Sequence, residues 1–528
     1  MPEFELTAID LVIAVAYVGV IIGIGLWVGR GKENSEGYFL AGRGMIWPLV
    51  GFSLMAANFS GTHYIGLAGA GYEDGVAVWN YEWMATLVLV VFALFIMPFY
   101  LRSKVDTMPQ FLEERYDRRS RYVFSAFTIF TAMFIDAAGA LFAGGITLQL
   151  LFPDIPLYLL IWVIAIFGGI YVIAGGLQAV MITDTIDGVL LLLAGGLFFF
   201  LLMGELGWSL STLREIAPEN GLSVVNPPGD AFLPWPGVFT GVLFLGFYYW
   251  TTNHVVVQKV LAAKDLNHGR WGALFAGFTQ LWFLPLLIMP GLMGRALYPG
   301  LEDPDQIWPA LAFDFLPVGL RGLILAALVV ALMSTLDSVL NGAGSLVIND
   351  FVRTRKRDFS DAQLLAMSRI AVGVFMVVAA LWAPQIRNFP TIVEYFQSFL
   401  GHITMPVVVV FLGGLLWKRA TRQAAFYTLL IGIPTGIVKF ATGEFMELFD
   451  VQFLYGTGIM LAFSAVLFVV VSLLTEAPTE EAVREYLWTR DTWRRESEDL
   501  AGTPWYLNYR YIAAALVLFT AAVVLPFL

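Results

Sequence analysis

The sequence predicts an all-α protein that crosses a membrane many times, and three observations carry that prediction. The 528 residues are 59% hydrophobic and only 13% charged, well above the apolar share of soluble domains. Apolar runs near the ~20-residue length that spans a bilayer recur along the whole chain, about fourteen of them. Lysine and arginine gather in every second connection, the pattern of the positive-inside rule.

Taken in order, the runs have approximate cores at 8–29, 46–71, 75–101, 120–150, 156–174, 179–203 and 235–256. They continue at 270–298, 319–352, 363–385, 391–417, 422–440, 452–474 and 510–527. We number them as the first to fourteenth segments. The first follows "MPEFELTAIDLV", which is acidic where a cleaved secretory signal is basic, so it reads as a retained helix. The odd connections hold Arg30, Lys32 and Arg43, then Arg102, Lys104, Arg115, Arg118 and Arg119, then Lys259 and Lys264. Later ones hold Arg353, Arg355, Lys356 and Arg357, then Lys418 and Arg419, then Arg484, Arg490, Arg494 and Arg495. The even connections carry little beyond Arg214 and Arg387. Odd connections are therefore expected in the cytoplasm and both termini outside.

Several function classes drop out. With no cysteine there are no disulfides, thiolate metal sites or thiol catalysis. A net charge of −11 argues against nucleic acid as a partner, and acidic solvated loops account for it. No phosphate-binding loop, His/Glu metal cluster or nucleophile motif suggests an enzyme. The largest polar pieces are 204–234, expected outside, and 475–509, expected inside. The latter includes "TEEAVREYLWTRDTWRRESEDL", whose helical charge spacing with Trp488 and Trp493 reads as a membrane-surface helix or as a plain connector.

The second segment contains "AANFSGTHYIG", residues 56–66, where polar side chains and Gly61 interrupt an apolar run. Lipid offers those groups no partner, so the helix is expected to break there against something buried. A similar interruption, "FLGFYYWTTNHVVV", occurs in the seventh segment, five segments on. An odd offset makes the two enter the membrane from opposite sides, as the inverted repeats of a transporter do.

In the ninth segment Ala331, Ser334, Thr335 and Ser338 share one helical stripe. The spacing leaves two readings open: hydroxyls bonded back to carbonyls a turn earlier, or a weak site for a hard monovalent cation. Glu82, Asp184 and Asp337 are costly in mid-bilayer and should face the bundle interior. Asp337 lies off the hydroxyl stripe and is kept out of the ligand set. Tyr248, Tyr249 and Trp250 could stack on a ligand or close a gate, and Gln280 and Gln397 could bind hydroxyls or be satisfied core amides.

Five stretches in register carry a resemblance: "YFLAGRGMIWPLVGFSLMAANFSGTHYIG", "YVIAGGLQAVMITD", "YYWTTNHVVVQKVLAAKD", "ALMSTLDSVLN" and "GGLLWKRATRQAA". Over residues 8–440 the chain resembles the sodium:solute symporter family, its sodium-glucose and sodium-galactose cotransporters in particular. One departure is Ala424-Ala425, where a family signature expects Gly-Ala.

The resemblance implies a single transmembrane domain over 1–528 with a LeuT-type 5+5 inverted repeat. An extra helix (8–29) precedes the first repeat (46–203) and the inverted second (235–417), and peripheral helices (422–528) follow. It implies a sodium site made by the carbonyls of Ala56, Phe59 and Ala331 and the hydroxyls of Ser334 and Thr335. Asp184 with Ser338 match a second sodium found in some members. Asn58, His63, Glu82, Tyr249 and Gln397 match solute-binding positions, with Tyr249 resembling the inner gate. Gln280 stands where a sugar-contacting lysine is usual, and Gly246 where Asn or Thr is usual.

The expectation is a sodium-coupled importer of a small neutral polyhydroxyl solute, a monosaccharide or polyol, in a plasma membrane (in a bacterium, the inner membrane), as monomer or homodimer. The alternatives are a symporter of organic acids (sialic or monocarboxylic) or amino acids, and a membrane module that senses sodium or solute. The lack of a lysine or arginine beside "AANFSGTH", "YYWTTN" or Gln280 speaks against an acid.

Overall fold

The computed structural model describes residues 7–29, 43–103, 105, 107–172, 177–353, 359–444, 446, 448 and 451–528. Among them the regular elements are all helical, with two isolated β-bridges and no strand. Eight helical runs are long and apolar enough to cross a membrane, or ten if each of two sharply bent pairs counts as one crossing. The first and fifth segments, Ala8–Gly29 and Leu157–Val172, lie on their expected windows but offer shorter described apolar stretches. Length and hydropathy thus establish a polytopic all-α protein without fixing the count at fourteen.

The second segment is broken as expected. Trp47–Asn58 begins with Pro48 in its first turn and stops at Phe59. Ser60 is extended and caps the next half, Gly61–Asp74, through its hydroxyl. Gly61 is needed there because a Cβ would lie 2.5 Å from Leu332 Cγ and 3.0 Å from the Leu328 carbonyl oxygen. The break is thereby pressed directly on the ninth segment, Leu320–Leu346. In the seventh segment the helix Leu243–Thr251 ends at Thr252, and Asn253 restarts it as His254–Leu261 by accepting the Val255 and Val256 N–H groups.

Two further bends were not expected from hydropathy. The eighth segment turns by 40° between Leu266–Gln280 and Leu284–Leu297, and the eleventh by 54° between Ile392–Ile403 and Met405–Leu416. Pro285 and Pro406 follow these bends, where a missing N–H removes a ladder bond.

Without a hydrophobic drive between helices in lipid, close backbone approach at small residues holds the bundle together. A Cβ at Gly291 would lie 2.0 Å from the Ala68 carbonyl oxygen, and one at Gly71 2.5 Å from that of Ile288. The half of the second segment after the break is thus seated on the eighth. The first helix is tied to the ninth by Asp10, fully buried, which accepts from the Gly319 and Gly322 N–H groups and from Arg321 Nε. In the polar piece 475–509, Arg490–Asp499 is a helix held by Glu496 to Arg102 (3.1 Å), Arg270 (2.9 Å) and the Tyr509 hydroxyl (3.0 Å). Trp493 stacks on Phe95, so it docks on protein.

This packing predicts that Gly291→Ala, which must displace backbone, costs about 1–3 kcal/mol or more. Gly373→Ala, with nothing within 4 Å, should be neutral. Thermal unfolding of the two purified variants in detergent compares them directly.

Candidate functional site

The two helix breaks, the ninth segment and the first half of the eleventh enclose a cavity that offers about 130 Å³ to water-sized occupants. At roughly 10–15 Å³ per water, that is space for a small molecule. Asn58, His63, Glu82, Tyr249 and Gln397 all line it. So do Ala56, Phe59, Ala331, Ser334, Thr335 and Ser338. The sequence-named residues therefore converge, with two exceptions. Gln280 is fully buried behind the wall, and the side chain of Asp184 lies outside the described residues.

Asn58 closes the first half of the second segment, and its amide is the hub of one end of the cavity. Its Nδ2 donates to Glu82 Oε2 and to Gln280 Oε1, each at 2.7 Å. Gln280 Nε2 in turn donates to the Ala276 carbonyl at 3.2 Å. The amide at 280 braces Asn58 from outside the cavity, and the expectation that it lines the solute wall is corrected to a supporting position. With both N–H groups of Asn58 engaged, its Oδ1 is the group it can offer a solute. Glu82, 3% exposed, keeps its second oxygen for the same purpose.

His63 sits on the first turn after the break with Nδ1 3.0 Å from the Ser60 hydroxyl. Tyr249 reaches across from the seventh segment, where its hydroxyl donates to the Ala57 carbonyl at 3.3 Å and its ring meets Trp250 edge-on. It thereby bridges one break to the other. Gly246 lines the cavity nearby, and a Cβ there would meet only Val88, at 3.5 Å.

At the other end the backbone is exposed by the break itself. Among the described residues no main-chain N–H beyond the break donates to the Ala56 or Phe59 carbonyl, because Ser60 is extended and His63 N bonds to Ser60 O instead. These are orphan acceptors of a helix end. Across from them the Thr335 hydroxyl donates to the Ala331 carbonyl at 2.9 Å. The back-bonded reading of the stripe thus holds for Thr335, whose oxygen still has lone pairs to offer.

Sequence reading missed three charged residues of the wall: Asp136, Asp187 and Lys259. Asp136, in "MFIDAAG", follows the rule that found Glu82, an ionisable group inside an apolar run. Lys259 was assigned to a cytoplasmic connection, but it lies on the helix His254–Leu261, 2% exposed, and its Nζ donates to the Ser53 carbonyl at 3.1 Å. A lysine therefore does stand at the site, contrary to the expectation from the sequence. Asp337 is buried, bonded to Asn341 and absent from the wall, as expected.

Comparison with known proteins decides what class of machine this is. A model of the sodium:solute symporter family matches residues 38–432. The chain belongs to the sodium:solute symporter family. It is 31% identical to the mouse sodium/glucose cotransporter 4, over 93% of this chain and 79% of the relative. It is also 31% identical to a sodium/glucose cotransporter of Vibrio parahaemolyticus (82% and 85%) and 30% identical to the bovine sodium/myo-inositol cotransporter 2 (92% and 80%). The fold matches a solved structure of a Na+-coupled sialic acid symporter with a TM-score of 0.75 at 20% identity, covering 90% of this chain and all of that one. The symporter accordingly has a LeuT-type fold, is a multi-pass membrane transporter and is not an enzyme.

The Asn58 hub predicts that Gln280→Leu leaves one amide N–H without its acceptor, at about 1–3 kcal/mol. Solute half-saturation should rise several-fold in this symporter, and sodium half-saturation should follow only through coupling. Uptake kinetics at varied sodium and solute separate the two effects.

Proposed function

We propose that the symporter imports a small neutral polyhydroxyl solute, a monosaccharide or polyol, together with sodium. The observation that carries this reading is the solute end of the cavity, where Asn58, His63, Glu82 and Gln397 offer both donors and acceptors to hydroxyl groups. An anionic solute is disfavoured by charge: Glu82, Asp136 and Asp187 share the wall with the single described ammonium of Lys259, itself committed to a carbonyl. Relatives named for glucose and for myo-inositol support the same class. Gly246 leaves open space where a side chain would otherwise narrow the cavity.

Sodium occupies the end formed by the carbonyls of Ala56, Phe59 and Ala331 and the hydroxyls of Ser334 and Thr335, with Ser338 and Asp184 available to a second ion. Oxygen ligands without a rigid cage suit a monovalent ion that must also leave. By bridging the second and ninth segments, the ion favours the arrangement in which Asn58 and His63 are set for solute. Coupling follows because both ligands favour the same state. Residues 46–203 and 235–417 act as the two inverted repeats, and Tyr249, spanning both breaks, closes the path to the cytoplasm. One charge crossing 100 mV supplies about 2.3 kcal/mol, roughly a fifty-fold solute gradient. We place the protein in the plasma membrane with both termini outside.

Ser334→Ala or Thr335→Ala should raise sodium half-saturation about tenfold, the scale of a lost charge-assisted contact, with expression intact. Unchanged sodium dependence in both refutes the ligand assignment. For the solute, a thermal-shift screen of the purified protein across sugars, polyols and organic acids, in sodium against potassium, should show sodium-dependent stabilisation by a neutral polyol or sugar. Stabilisation by acids alone overturns the solute class.

A further inference from the structure

The sodium end proposed above consists of neutral oxygens only, yet a carboxylate stands beside it that the mechanism leaves unused. Asp187 lies on the sixth segment, Leu177–Glu205, is 2% exposed, and lines the same cavity as Ala56, Ala331, Ser334 and Ser338. Its neighbour Gly188 brings that helix against the break. A Cβ at 188 would lie 3.3 Å from Ala56 Cβ and 2.8 Å from Met55 Cε. The sixth segment packs along both the second and the ninth, so its side chains at this level reach the seam where the ion bridges them.

Asp187 is also held in place. The Tyr17 hydroxyl of the first helix donates to its Oδ1. That helix is in turn fixed to the outer end of the ninth segment by Asp10, whose carboxylate takes the Gly319 N–H at 2.6 Å and Arg321 Nε at 2.9 Å. The first helix therefore contacts the ninth and sixth segments at once, and one of its polar contacts ends on a carboxylate of the cavity wall.

We propose that Asp187, positioned by Tyr17, is the charged ligand of the alkali-cation site, and that the first helix sets sodium affinity through this hydroxyl. The reasoning is electrostatic. A monovalent cation that sheds water in a low-dielectric bundle is stabilised far more by a formal negative charge than by carbonyl dipoles alone. A carboxylate already held by a hydroxyl brings its charge to an ion without reorganising. This rests on the sodium-site reading above and adds to it a residue from outside the stripe and the break.

The test uses the purified full-length protein and sodium alone, with no solute required. Thermal stabilisation is titrated with NaCl at constant ionic strength, choline chloride making up the balance and KCl as the comparison cation. We expect Asp187→Asn to raise the sodium midpoint at least tenfold, and Tyr17→Phe to raise it about two- to five-fold, each read as the shift from that variant's own choline baseline. Asp187→Glu, which restores the charge, should recover part of the loss. If Asp187→Asn titrates within twofold of the parent while Ser334→Ala is shifted, Asp187 is no ligand and this proposal is overturned. If Ser334→Ala is also unshifted, the site reading itself fails. Should Asp187→Asn not yield folded protein, Tyr17→Phe decides alone, since an unmoved sodium midpoint there removes the role given to the first helix.

Discussion

The structure depends on one constraint, that every backbone polar group inside a bilayer must find a partner within the protein or its cargo. The break at Phe59 and Ser60 violates the helical solution to that constraint and creates its own replacement. Ser60 caps the half that follows, Tyr249 reaches the Ala57 carbonyl from the other broken segment, and Ala56 and Phe59 line the same cavity as the hydroxyl stripe of the ninth segment. A continuous helix would have none of these to offer. The cavity lies where the ladder is cut.

The break is affordable because its surroundings are close-packed. Gly61 lets the cut lie on Leu328 and Leu332, and Gly71 and Gly291 seat the half after the break on the eighth segment backbone to backbone. Asn58 then joins three segments through one amide, with Glu82 and Gln280 as its two acceptors. A polar network of this kind in a dry interior is valuable only when complete. Here the part facing away from the cavity fixes the geometry of the part that faces it.

Charge inside the bundle shows the same division between support and function. Lys259 is buried against the Ser53 carbonyl at the seam between the second and seventh segments, while Glu82, Asp136 and Asp187 stand on the cavity wall. Arginines at the segment ends serve packing: Arg121 joins Glu113 and Asp350, and Arg270 lies over Tyr509 and bonds to Glu496. These contacts tie the ends of segments that the cavity separates.

By itself the sequence determined the membrane class, the windows of the helices, the two interruptions and the hydroxyl stripe. Hydropathy, glycine and helical period are local properties that act before any segment meets another. It also held the landmarks of the family, and through them most of the cavity wall. Only the tertiary structure decided that Gln280 braces Asn58 from behind, that Lys259 is interior, and that Asp136 and Asp187 reach the wall. It also decided that Thr335 gives its proton to Ala331. The first three turn on which distant segment lies alongside, and residues as far apart as Asn58 and Gln280, 222 positions, leave no trace of their pairing in local pattern; the Thr335 bond is local, and the structure chose it from the two readings the spacing left open.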